Sequence, residues 1–110
     1  MGWAYEFFYE KTLEEMRTLF NQWGPWEWNL GDSAWYGDYL SCVPVSDVRI
    51  RIHEWGYEHG KPRKYSSLMQ IIQHPSVQRS GASRVTLDQV FFDLLNRLPV
   101  QGLKEIEWYD

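Results

Sequence analysis

Trp3-Ala4-Tyr5-Glu6-Phe7-Phe8-Tyr9-Glu10-Lys11-Thr12-Leu13-Glu14-Glu15-Met16 changes its period part-way along. Up to Tyr9 the large rings recur at every second residue, with Trp3, Tyr5, Phe7 and Tyr9 on one side and Ala4, Glu6, Phe8 and Glu10 on the other. Aromatic residues at a period of two make a strand. Phe8 interrupts the polar side, so this strand is expected to be covered on both faces. From Thr12 the rhythm becomes helical. Thr12-Leu-Glu-Glu15 is a capping box, in which the threonine hydroxyl accepts from the N–H three residues on and Glu15 reaches back. Leu13, Met16, Leu19, Phe20 and Trp23 follow at spacings of three and four, the stripe of an amphipathic helix. Gly24-Pro25 ends it, since proline cannot continue the ladder.

The remaining chain is read the same way. Trp26, Trp28 and Leu30 alternate with Glu27 and Asn29, which predicts a second strand before the turn signal Gly31-Asp32-Ser33. Trp35 to Val43 predicts another, with Gly37 as a candidate bulge and a turn from Pro44 to Asp47. Val48, Ile50 and Ile52 alternate with Arg49, Arg51 and His53, the clearest strand in the chain. Beyond a polar loop from Gly56 to Arg63, Tyr65 to Gln73 reads as a strand with Leu68 and Ile72 on one face and Met69 and Ile71 on the other. Residues 74–84 form the one long loop-like segment and are expected to be mobile. A second capping box, Thr86-Leu-Asp-Gln89, opens a helix with the stripe Leu87, Val90, Phe91, Leu94, Leu95 and Leu98, ended by Pro99. Leu103 to Tyr109 closes the series as a strand, with Ile106 and Trp108 inward and Glu105 and Glu107 outward.

Each helix has one apolar stripe to bury, so both are expected on one face of a sheet. The fold class is α+β: a mostly antiparallel sheet with two helices packed on one face, ferredoxin-like (a split βαβ) or a variant widened by extra strands. That architecture implies no function. With 110 residues, 44% of them hydrophobic, the chain is sized for a single domain over 1–110 with its own core.

Composition removes several classes of function. The net charge of −4 disfavours general nucleic-acid binding. No apolar run approaches the length of a membrane span. The single cysteine, Cys42, allows no internal disulfide and fits a reducing compartment. Glu6 and Glu10 with no basic n-region make a poor signal peptide, so the expected location is cytoplasmic. No phosphate-cradling glycine loop and no nucleophile elbow is present. Nothing local activates Cys42 as a nucleophile, and no catalytic residue, cofactor or metal is expected. His53-Glu-Trp-Gly-Tyr-Glu-His59 matches no metal-ligand spacing.

Two groups of residues remain. Four of the seven tryptophans fall between Trp23 and Trp35, next to Asp32, Tyr36, Asp38 and Tyr39. Exposed indoles beside carboxylates grip cations, sugars and protein partners, whereas buried ones are core. Charge is also uneven. Residues 49–84 carry seven basic groups against two acids, and the rest of the chain is strongly acidic. The basic strand Arg49, Arg51 and His53 could line a cleft with the aromatic segment. Lys61, Arg63, Lys64, Arg79 and Arg84 could hold an anion by forked hydrogen bonds.

Small size, acidity and aromatic richness resemble the composition of bacterial immunity and inhibitor proteins. The function expected from the sequence is a protein-interaction module. It would present an acidic aromatic surface, Trp35, Tyr36, Asp32 and Asp38, to a basic protein or to its own second copy. The alternative is binding of a sugar-like or aromatic anion in a cleft between the Trp/Tyr segment and the basic strand Arg49, Arg51 and His53.

Overall fold

The computed structural model describes residues 3–34, 37–56 and 60–106. The elements run β1 (Ala4–Tyr9), α1 (Leu13–Trp23), β2 (Asn29–Ser33), β3 (Gly37–Val45), β4 (Val48–Gly56), β5 (Arg63–Ile71), α2 (Arg84–Arg97) and β6 (Gln101–Ile106). The strands form one antiparallel open sheet in the order β2-β3-β4-β5-β1-β6. No helix among the described residues is long and apolar enough to cross a membrane.

The alternation in β1 works as the sequence suggests. Tyr5, Phe7 and Tyr9 join a core cluster with Leu40, Ile50, Ile52, Tyr65 and Met69 from the other strands. Leu13, Met16 and Phe20 of α1 and Leu87, Phe91, Leu94 and Leu95 of α2 belong to that same cluster, so both helices cover one face. The threonine half of the α1 capping box is present: Thr12 Oγ1 accepts from the Glu15 N–H at 3.2 Å, while the Glu15 carboxylate lies 3.9 Å from Lys11 Nζ. Gly24, at φ 68°, closes the helix with its N–H on the Phe20 carbonyl.

Several expectations are corrected. The second strand starts at Asn29, so Trp26 and Trp28 precede it. The Asn21 side chain explains the delay, because it takes both backbone groups of Trp28: Nδ2 donates to the Trp28 carbonyl and Oδ1 accepts its N–H at 2.7 Å. A residue held by a helix side chain does not need a neighbouring strand. Pro44 lies within β3, at a register shift between Cys42 and Val45, where a missing N–H is tolerated. In β5, Met69 and Ile71 face the helices opposite Ile50 and Val48 and Leu68 faces the other way, as expected, but the strand runs from Arg63 and ends before Ile72.

Helix α2 begins at Arg84 with Ser83 at its cap position, two residues before the predicted capping box. The Arg84 guanidinium donates to the Met69 carbonyl at 3.1 Å and lies over the Trp3 ring, so a tertiary contact extends the helix past its local signal. Strand β6 presents its residues in the opposite sense to that expected. Glu105 pairs with Tyr5 on the helix side, and Ile106 pairs with Ala4 on the other. A register shift between Glu6 and Phe8 accounts for it, because a slip of one residue exchanges the faces of a strand. Trp108 and Glu107 lie outside the described residues. The segment before α2 is hydrogen-bonded to the body of the protein. Asp47 accepts from the Ser80 hydroxyl at 2.6 Å, and its carbonyl accepts the Ile72 N–H.

Candidate functional site

Neither helix packs on the second face of the sheet, and strand register determines what that face displays. One row crosses all six strands as Gly31, Tyr39, His53, Ser66, Glu6 and Lys104. The next row runs Asn29, Ser41, Arg51, Leu68, Ala4 and Ile106. Arg49 lies beyond, opposite Gln70.

Rings gather on the first row. Tyr39 and His53 lie 5.5 Å apart between centroids. A side chain at Gly31 would run into the Tyr39 ring, so glycine there lets the phenol lie across β2. Trp55, at the end of β4, turns its indole onto Ser66 and donates Nε1–H to the hydroxyl. Its ring nevertheless remains 56% exposed, and Val43 on β3 is 51% exposed. These are the two most exposed large apolar side chains of the described strands.

Charge on this face is mainly basic. Glu6 stands between Lys64 at 3.5 Å and Lys104 at 3.6 Å. Arg51 donates Nη2–H to Gln70 at 2.6 Å, and Arg49 is exposed. His53 is only 9% exposed. Burial, and then the Arg51 charge, lower its pKa below the usual histidine value, so the ring is neutral at physiological pH. The neutral form is therefore favoured by folding. An unfolded histidine takes up a proton near pH 6.5, but the folded one resists. Stability should be level above that pH and fall as the solution is acidified through the window below it. Urea unfolding at about pH 7.5 and about pH 5.5 should show the lower midpoint in acid, and His53→Gln should flatten that difference. A wild type more stable in acid would contradict the assignment.

The expected site residues do not form one surface. Tyr39, Arg49, Arg51 and His53 share the uncovered face. Asp32 and Asp38 pair with each other on the helix side, since Asp38 and Tyr39 alternate along β3. Both aspartates are exposed. Like charges placed directly opposite repel, so this pair does not favour the end of the hairpin. Trp35 and Tyr36, the expected anchors, lie outside the described residues, as does His59.

The five basic residues considered for an anion are also divided. Lys61, Arg63 and Lys64 stand at the start of β5, where Arg63 bonds Glu54 at 2.9 Å. Arg79 and Arg84 stand at its far end, on the carbonyls of Ile72 just past the strand and Met69 within it. Strand β5 keeps the two groups apart by its own length. Among the described residues, no group of three or more His, Cys, Asp or Glu is placed to hold a metal. Cys42 is buried, and its thiol is pushed up to about 12, which leaves it protonated.

Trp55, Val43 and Ser66 are not among the residues that the sequence singles out. Trp55 is nevertheless legible there: extending the alternation of Arg49, Arg51 and His53 by one step reaches it. A groove of about 660 Å³ between α2 and β6, lined by Tyr5, Asp88, Phe92, Asp93, Leu103 and Glu105 among others, has no local signal, since its walls come from distant segments. There the Tyr5 hydroxyl donates to Asp88 Oδ2 at 2.7 Å, and burial with that carboxylate raises the tyrosine pKa.

Comparison with known proteins leaves this geometry to stand by itself: no protein-family model, no curated protein and no solved structure matches the chain.

Proposed function

We propose that the protein is a protein-interaction module and that the uncovered sheet face is its contact surface. The observation that carries this reading is the placement of Val43 and Trp55, each more than half exposed, at the two ends of the β3–β4 pair with Tyr39 and Arg51 between them, on the face that neither helix covers. Tryptophan, tyrosine and arginine dominate binding hot spots because they bury large areas while keeping a polar end. Inhibitor-like, immunity-like and self-associating roles all use contacts of this kind, and we place the protein in the cytoplasm on its single reduced cysteine.

The architecture is read as ferredoxin-like. The order β6-β1-β5-β4 with two helices on one face follows from a split βαβ, and β2 with β3 widens it by a hairpin. A second reading, binding of a sugar-like or aromatic anion, is favoured by the register that puts Tyr39 opposite His53 with Arg51 in the adjacent row.

Site-specific photocrosslinking separates surface from background. A photoreactive residue replacing Val43 should trap one protein from the source organism's lysate, and the same residue replacing Phe92 on α2 should not. Trp55→Ala should abolish the Val43 product while changing folding stability by less than about 1 kcal/mol, as expected for an exposed position. Equal products from both positions, or a Val43 product indifferent to Trp55→Ala, would remove the sheet face as the contact surface.

A further inference from the structure

The face carries a charge opposite in sign to that of the chain as a whole. Among the described residues its charged side chains are Arg49, Arg51, Lys64 and Lys104 against Glu6 alone, with His53 neutral. The remaining acids of the described strands, Asp32, Asp38, Glu54 and Glu105, all lie on the helix side. Lys64 and Lys104 share the one acid, so it cannot neutralise both. The fold has sorted the strand charges of a chain of net charge −4 into a basic sheet face, with the remaining strand acids on the helix side.

Resting on the reading that this face is the contact surface, we infer that the partner presents an extended acidic segment with apolar residues flanking the carboxylates on its inward side. The basic partner that composition alone suggests fits the other side of the molecule. Two features of the face set the segment's chemistry. Arg49 and Arg51 lie two residues apart on β4, so both project from this face about 7 Å apart along the strand. Carboxylates at every second residue of an extended segment have that same spacing and can accept from both guanidinium groups. Val43 on β3 and Trp55 at the end of β4 offer apolar contact to residues that flank the carboxylates on the same side of the segment. Complementary charge of this kind sets the choice of partner and the rate of encounter more than the final affinity. The acids on the helix side, Asp32, Asp38, Glu54 and Glu105, would repel the long phosphate backbone of a nucleic acid more than a short peptide confined to the face.

The test uses the intact protein and three labelled probes: a ten-residue peptide that carries Val, Glu, Glu, Val and Val at alternate positions with Ser between them, the same peptide with Lys for Glu, and oligo-dT. Anisotropy measures affinity, and indole and amide chemical shifts locate binding. The acidic peptide should bind at least about tenfold more tightly than the basic one, a difference of about 1.4 kcal/mol. It should shift Trp55 and Arg51 rather than α2, and weaken as salt rises. Arg49→Glu with Arg51→Glu should reverse the preference while leaving the circular dichroism spectrum unchanged. Arg49→Lys with Arg51→Lys should keep the preference and lose part of the affinity, because lysine does not form the forked bond. Tighter binding of the basic peptide or of oligo-dT at this face overturns the acidic partner but leaves the interaction reading in place. Absence of any shift on the face with all three probes also overturns it. Crosslinking from Val43 judges the interaction reading independently.

Discussion

Trp28→Ala is expected to cost about 3–5 kcal/mol of folding stability, the usual range for removing a fully buried large aromatic. A domain of this size has only about 5–15 kcal/mol in total, so the variant should sit near the edge of folding. The reason lies in what the indole touches. Trp28 is 1% exposed and stands between the two helices, with its ring 5.1 Å from Phe20 of α1 and 5.8 Å from Phe91 of α2. The helices reach one another through this ring, whose backbone is pinned by Asn21. Truncation leaves a void that neither helix can fill without leaving the sheet. Urea denaturation followed by circular dichroism measures the loss. A cost under about 1 kcal/mol would mean that Trp28 does not join the layers.

Phe91→Ala should cost a similar amount, about 3–5 kcal/mol. Phe91 is fully buried and meets both Trp28 and, at 6.1 Å, Tyr5 of the sheet. The double variant is the sharper experiment. Once Trp28 is gone, Phe91 loses one of its neighbours, and the two deletions open into a shared cavity. The combined cost should therefore fall short of the sum of the single costs by about 0.5–3 kcal/mol. Additivity within about 0.5 kcal/mol would show that the helices are held to the sheet independently.

Much of this arrangement is legible in the order of the residues, and the failures have physical causes. Element types follow from period alone: rings every second residue in β1, the Val48–Ile52 alternation in β4, and threonine with glutamate three residues on at the start of α1. Boundaries and faces fail wherever a tertiary contact outweighs a local signal. Asn21 holds Trp28 outside the strand that its alternation with Glu27 and Asn29 predicts, and Arg84 extends α2 past a good capping box because Trp3 and the Met69 carbonyl reward it. The faces of β6 depend on a single register shift opposite β1, which no composition records. The candidate surface divides for a similar reason. Asp38 and Tyr39 are adjacent in sequence, so a strand must send them to opposite sides, whereas Tyr39 and His53 meet through pairing. A net charge cannot show this sorting, since it sums over both faces.

The place of β1 in the sheet also governs how the chain can assemble. Its partners are β5 and β6, so Ala4 meets Leu68 on one side and Ile106 on the other. By contrast, β2, β3, β4 and β5 pair in sequence and can zip together as a meander. Such long-range closure is slow to form, because chain entropy is lost before the contacts return it. During synthesis β1 emerges early and has no strand beside it until residues 63–71 are made, and its second edge stays open until 101–106 follow. For that interval the nascent protein carries an aromatic strand with bare edges, a template for pairing with other chains. Chaperone demand during expression should therefore depend on how quickly residues 10–106 are translated.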